Sequence, residues 1–159
     1  MNINIICIGK LKEKYLKDAE TEYLKRLLRF CKLKITELAE APLPENYSEA
    51  EKVAALEKEA DMVISALSGS DVIISLCVEG KQKSSEDFAD FMSKKMVEGK
   101  SSFSFIIGSS CGLSEKVKKL SHLKLSFSEM TFPHQLMRVI LLEQIYRGFK
   151  IIANEKYHK

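Results

Sequence analysis

Phe103–Leu113 reads FSFIIGSSCGL, and its interpretation decides the fold. Phe103–Ile107 is a short apolar run closed by glycine, with the length and punctuation of a buried strand rather than a helix. Gly108–Ser109–Ser110–Cys111–Gly112 follows as a flexible loop, and a short helix opens at about Ser114. A buried strand that passes through a glycine loop into a helix is the repeating unit of an α/β sheet.

The same alternation extends in both directions. Upstream, Asp71–Val78 (DVIISLCV) reads as a fully apolar strand. A turn is expected at Glu79–Gly80–Lys81, then a Ser84/Ser85 cap and a helix to about Val97, stopped by Gly99. Earlier, Asn2–Ile8 reads as a strand ending at Gly9, and Lys12–Arg29 as an amphipathic helix with Leu16, Ala19, Tyr23, Leu24, Leu27 and Leu28 on one face. Leu33–Leu38 is a second strand, and Ala39–Tyr47 is a loop by its Pro42, Pro44 and Asn46. Ser48 with Glu51 forms a capping box that opens a helix through about Leu67. Downstream, Leu123–Phe127 is a last short strand, and Pro133 fits the first turn of a long helix over about His134–Phe149. Strands apolar along their length, alternating with helices, predict one α/β domain with a parallel sheet covered on both faces. The final helix carries Leu136, Met137, Val139, Ile140, Leu141, Leu142 and Ile145 around nearly its whole circumference. It is therefore expected to be buried on more than one side, against the sheet and against a partner chain.

Composition bounds the function. The 159 residues fit one domain, with 45% apolar residues and a formal net charge of +3. That mild charge conceals a pattern: residues 1–40 hold nine basic and six acidic side chains, 41–100 seven and twelve, and 101–159 nine and four. Two basic ends flank an acidic middle, so one basic face is expected. No uncharged apolar run approaches the roughly 18–20 residues that span a bilayer. MNINIICIGK lacks the charge and apolar pattern of a signal peptide, which predicts a cytoplasmic protein with no membrane partner. Cys7, Cys31, Cys77 and Cys111 lie far apart with no CxxC spacing; buried reduced thiols and no metal are expected.

In open α/β sheets ligands bind beyond the carboxyl ends of the strands, where three loops fall: Leu76–Gly80, Gly108–Leu113 and Phe127–Pro133. Gly108–Leu113 lacks the Gly-Lys-Ser/Thr triplet of a P-loop, and IICIGKLKEK has one glycine where a dinucleotide fingerprint needs a cluster. Two readings stay open for it, a backbone cradle for a ligand or a tight turn that needs glycine. FSEMTFPHQ mixes hydroxyls (Ser126 just before it, Ser128, Thr131) with apolar surface (Phe127, Met130, Phe132), so it suits an amphiphilic ring ligand or simply caps the next helix. His134 at that helix start is either an orienting group or a base. Arg138 and Arg147, two of four arginines, serve as ion-pair partners, Arg147 with Glu143 four residues back, or as phosphate and base contacts. Tyr157, His158 and Lys159 combine a stacking ring, an imidazole and a charge, a set useful at an RNA base.

Phe105–Leu113 (FIIGSSCGL), Leu125–Arg147 (LSFSEMTFPHQLMRVILLEQIYR), the closing YHK and Ile8–Leu27 (IGKLKEKYLKDAETEYLKRL) together resemble the bacterial ribosomal RNA large subunit methyltransferase H family. The resemblance spans essentially the whole chain and implies a single SPOUT domain over residues 1–159. Its cofactor-binding part, about residues 71–159, is implied to form a deep trefoil knot, and the protein to work as a homodimer. The implied activity is methyl transfer from S-adenosylmethionine to N3 of a pseudouridine in helix 69 of 23S ribosomal RNA, on the assembled ribosome. Implied cofactor contacts are Leu76, Gly108 and the run Phe127, Ser128, Glu129, Met130, Thr131 and Phe132. Implied catalytic residues are Arg147, Tyr157 and His158, with His134 nearby. The chain departs from the family pattern at Ser109, where a second glycine is usual, at Cys77, where aspartate is common, and at Asn154–Glu155. Ser109 is compatible with the loop if its φ is negative. A ribosome-binding module of the same fold without turnover is the competing reading. It shares the basic ends and the stacking tail but has no use for three co-located ligand loops. A methyltransferase acting on a small molecule is a third, distinguished by turnover without ribosomes.

Overall fold

Strand residues divide by alternation between two apolar clusters. Ile3, Ile5 and Cys7 of β1 (Asn2–Ile8) enter one cluster with Phe103, Phe105 and Ile107 of β4 (Ser102–Ile107), while Ile6, Ile8 and Ile106 enter the other. A side-chain period of two with both sets apolar requires a sheet covered on both faces, and the computed structural model, which describes residues 1–157, has one. Its five strands are all parallel, in the order β2-β1-β4-β3-β5, with β2 at Lys32–Leu38, β3 at Val72–Gln82 and β5 at Leu123–Ser126. Ile5 pairs with both Ile35 and Phe105, and Phe105 in turn with Ile74.

Three helices cover one face: α1 (Lys14–Leu27), α3 (Ser85–Val97) and α5 (His134–Ile152). They contribute Leu27, Phe88, Met92, Leu141, Leu142, Ile145 and Phe149 to the larger cluster. The opposite face takes α2 (Glu49–Ala66) and α4 (Glu115–Leu120), through Ala60, Val63 and Val117. Connections that move one way along the sheet use the first face and those that return use the second, so all four crossovers share one hand. The capping box forms as expected: the Glu51 amide donates to Ser48 Oγ at 3.2 Å, and the Ser48 amide to Glu51 Oε2 at 2.7 Å.

One expectation needs correction. Glu79–Gly80–Lys81 is not a turn but the continuation of β3, which bulges between Leu76 and Lys81 so that both pair with Leu125. The physical reason is Gly80: a Cβ there would lie 2.7 Å from the Lys124 carbonyl oxygen, so only glycine lets the returning strand press against β5. The last helix takes the sheet on one side only within this chain, leaving the side expected to meet a partner open. Leu141, Leu142, Ile145 and Phe149 face the sheet, but Leu136 is exposed and Val139 and Ile140 are half-buried, an apolar flank left open to solvent.

Candidate functional site

The bulge within β3 after Leu76 and the carboxyl ends of β4 and β5 surround one cavity of about 620 Å3. The loops after β4 and β5 line it, as strand-end reasoning expects, while Leu76–Glu79 reach it from the bulge inside β3. Leu76, Ile107, Leu113 and Leu125 form apolar walls, and Gly108, Ser128 and Thr131 bring backbone and hydroxyl groups to the rim. The volume falls in the range of small-molecule sites, and walls of this kind take a flat ring with polar edges.

Gly108 makes the cavity possible. A Cβ there would sit 2.2 Å from the Gly112 carbonyl oxygen, because the loop folds back on itself through a bridge between Ser109 and Gly112. The loop is then held from outside by two carboxylates. Glu59, buried on α2, accepts the Ser109 hydroxyl at 2.9 Å and the Ala41 amide at 2.9 Å, while Glu40 accepts the Ser110 hydroxyl at 2.9 Å. Burial raises the Glu59 pKa above the usual carboxylate range, with Glu40 adding to the rise and the two hydrogen bonds opposing it. Ser109 is not among the residues with positive φ, so serine fits where glycine is usual. No local signal in the sequence connects Glu40 or Glu59 to this loop; both reach it only through the crossover of α2.

At the far wall, Lys118 of α4 pairs with Glu79 and, at 3.0 Å, with Glu115. The Lys118 hydrogen bond holds the Glu79 carboxyl below its ordinary range. Cys77 also lines the cavity, and burial raises its thiol pKa, with the Glu79 charge adding to the rise. Met137 and Lys118 were not anticipated as wall residues, since the first lies a turn into a helix and the second on a helix from the opposite layer.

Of the residues implied for cofactor contact, Leu76, Gly108, Phe127, Ser128, Met130, Thr131 and Phe132 line the cavity; Glu129 does not. His134 lines it too, with its ring packed where a Cβ on Gly9 would lie 3.3 Å from Nε2. Arg147 and Tyr157 stand elsewhere: thirteen residues of helix place Arg147 about 20 Å along α5 from His134. There Glu143 binds both, accepting Arg147 Nη2 at 2.7 Å and the Tyr157 hydroxyl at 3.0 Å, with the guanidinium 4.8 Å from the Tyr157 ring centre. Tyr146 meets Tyr157 edge-on at 5.0 Å. His158 lies outside the described residues. Arg138 is not exposed for a substrate; it is a buried ion-pair centre, bonded to Glu37 at 2.7 Å, Glu20 at 3.1 Å and the Gly9 carbonyl at 3.3 Å.

Comparison with known proteins agrees with the geometry. The family described as "Predicted SPOUT methyltransferase" matches residues 1–158. Proteins named ribosomal RNA large subunit methyltransferase H from Bacillus thuringiensis (strain Al Hakam) and Bacillus anthracis are each 53% identical over 159 residues, covering the whole of both chains. A probable methyltransferase of Bordetella pertussis Tohama I superimposes with a TM-score of 0.57 at 11% identity, over 92% of this chain and 93% of that one. A putative methylase family protein of Neisseria gonorrhoeae gives 0.54 at 12% identity, over 91% and 81%; at such identities these two speak for the fold alone. The chain belongs to the SPOUT methyltransferase family, alongside the ribosomal RNA large subunit methyltransferases H.

Proposed function

We propose that this chain methylates N3 of a pseudouridine in helix 69 of 23S ribosomal RNA on the assembled ribosome, using S-adenosylmethionine, in the cytoplasm and as a homodimer. We further propose that residues of about 71–159 are threaded as a deep trefoil knot. The observation that carries the reading is the cavity between the β3 bulge and the ends of β4 and β5, bounded by a loop that can fold back onto Gly112 only because position 108 has no side chain. The names of the full-length relatives support a large-subunit ribosomal RNA as the substrate. Among the described residues, no helix is long and apolar enough to cross a membrane.

In this reading Leu76, Phe127 and the backbone groups of Gly108 and Ser128–Phe132 would hold the cofactor. Glu129, off the wall, contributes only through that backbone. The cofactor, when bound, supplies an electrophilic methyl on a sulfonium, so no metal is needed. The chain's own work is to aim the acceptor ring and to take up the N3 proton as the new N–C bond forms. His158 takes the proton or meets the base edge, Arg147 anchors a phosphate or carbonyl, Tyr157 offers a stacking face, and His134 stands beside the cofactor. The separation of about 20 Å along α5 between His134 and Arg147 argues that one protomer's tail serves its partner's cavity, with the open flank of α5 as the contact.

The test is mass mapping of helix 69 in ribosomes from a strain lacking this chain, followed by methylation of those ribosomes with purified protein. Loss of one methyl group on pseudouridine N3 and its restoration in vitro are expected. An unchanged methyl group in the deletion strain refutes the substrate. Absence of heat on titration with S-adenosylmethionine refutes the cofactor and favours a binding module without turnover. Tyr157→Ala or His158→Ala at full activity refutes the role of the tail.

A further inference from the structure

A second cavity, of about 360 Å3, lies on the α3–α5 side of the loop that follows β5. It shares Leu125, Phe127 and Phe132 with the larger cavity, so the two spaces meet across one wall. On its other side stand Gln144 of α5 and Lys83 and Ser85 at the start of α3. The Ser85 hydroxyl donates to Gln144 Oε1 at 2.8 Å. This fixes the carboxamide and leaves its N–H2 group, two donors, with no partner among the described residues. Lys83 is half-buried and likewise has no ion-pair partner among the described residues.

We propose that this second cavity receives the target base, and that Gln144 recognises a uracil-type ring through a carbonyl next to N3. The proposal rests on the function given above and names a subsite for it. Phe127 and Phe132 provide a flat apolar face on which any base stacks, which gives affinity without choice. Choice comes from the carboxamide: its free N–H2 needs an acceptor, which a uracil-type ring offers at both carbonyls flanking N3. Adenine, beside N1, and cytosine, on the C4 side of N3, carry an amino group instead, and a carboxamide aimed at that side would leave donors facing each other. A hydrogen bond at a carbonyl flanking N3 also favours the ring after it has lost the N3 proton, because negative charge moves onto that oxygen. Lys83 at the mouth lies where a charged group can meet the phosphate of the same nucleotide. Ser85 is a positioning residue, acting on the base only through Gln144.

The test uses full-length Gln144→Ala, Gln144→Glu and Ser85→Ala. Methylation of hypomethylated ribosomes is measured alongside cofactor titration, and uridine is added to protein saturated with S-adenosylhomocysteine while the Gln144 side-chain amide signals are followed by NMR. Gln144→Ala is expected to lower kcat/KM at least thirtyfold with cofactor affinity within threefold of the parent. Gln144→Glu is expected to be at least as impaired, since it sets an acceptor against a carbonyl. Ser85→Ala is expected to lose less, and uridine to shift the Gln144 amide signals. Full activity in Gln144→Ala, or an equal loss of cofactor binding, overturns the proposal. Uridine that shifts Gln144 in a parent protein unable to methylate ribosomes supports the subsite and overturns only the reaction assigned above. Unmoved Gln144 signals at saturating uridine overturn the subsite.

Discussion

Arg138→Met is the sharpest test of how the fold is held beside its site. The Arg138 side chain is 4% exposed and joins α5 to Glu20 of α1, Glu37 of β2 and the carbonyl of Gly9. Methionine has a similar reach and no charge, so the substitution removes the guanidinium with little change in volume. Glu20 and Glu37 then face one another without a cation, with side-chain exposures of only 18% and 34%. Breaking a buried pair from one side costs about 3–5 kcal/mol. Glu37 keeps the Leu11 amide at 3.3 Å and part of its hydration, which puts the expected cost near the lower end, about 3 kcal/mol. For a chain of this size each kcal/mol moves Tm by about 2–4 °C, giving a fall of about 6–12 °C at pH 7. The pH dependence follows from Glu37. Burial raises its pKa, but the hydrogen bonds from Arg138 and the Leu11 amide, with the Arg138 charge, outweigh that and leave it lowered. A lowered carboxylate pKa contributes stability above the unfolded value of about 4.3 and loses it as pH falls through the folded value. The deficit of Arg138→Met is therefore expected to narrow below about pH 4.3, and Glu37→Gln added to Arg138→Met to recover part of it at pH 7. Calorimetric scans from pH 7 to 3.5 decide the matter. A Tm within 2 °C of the parent at pH 7, or a deficit that does not change with pH, refutes the assignment of Arg138 as a buried ion-pair centre.

Three further outcomes are expected. Gly108→Ala puts a Cβ 2.2 Å from the Gly112 carbonyl oxygen; if the overpacking cost of about 1–3 kcal/mol falls on the loop, cofactor affinity drops up to about a hundredfold, and calorimetric titration matching the parent would refute it. Glu59 has a raised pKa, so its ionisation opposes folding above the unfolded carboxylate range; Glu59→Gln is expected to gain Tm relative to the parent at pH 8 and to lose that advantage toward pH 4, as paired melting curves would show. Burial pushes the Cys7 thiol up to about 12 and the Cys31 thiol up to about 11, whereas Cys77 and Cys111 are only half-buried. A thiol reagent at pH 8 is therefore expected to modify Cys111 and Cys77 in the folded protein, and Cys7 and Cys31 only after unfolding, with peptide mapping as the readout.

What could be read without coordinates was local. The period of the apolar residues, the Ser48–Glu51 box, the stop at Gly99 and the breakers in Ala39–Tyr47 each act within a few residues of themselves, and each appears where it is expected. The loops after β4 and β5 were equally legible, because loops at the carboxyl ends of parallel strands converge whatever the strand order. The exception has a non-local cause: Gly80 resembles a turn residue until β5 is laid against it.

The sequence alone determined the α/β class, the parallel sheet, the cavity-forming loops and the family, since these rest on period, punctuation and contiguous motifs. Only the tertiary structure decided which face each helix covers and that Glu40 and Glu59 brace the glycine loop. It alone buried Arg138 in an ion-pair triad and set Arg147 and Tyr157 at the opposite end of α5 from the cavity. The partners in these contacts lie between 4 and 118 residues apart along the chain. Spacing reaches the short end of that range, as the Glu143–Arg147 pair shows. The long-range partners are chosen by the crossovers, because packing a helix onto one face of a sheet brings together side chains that no local rule relates.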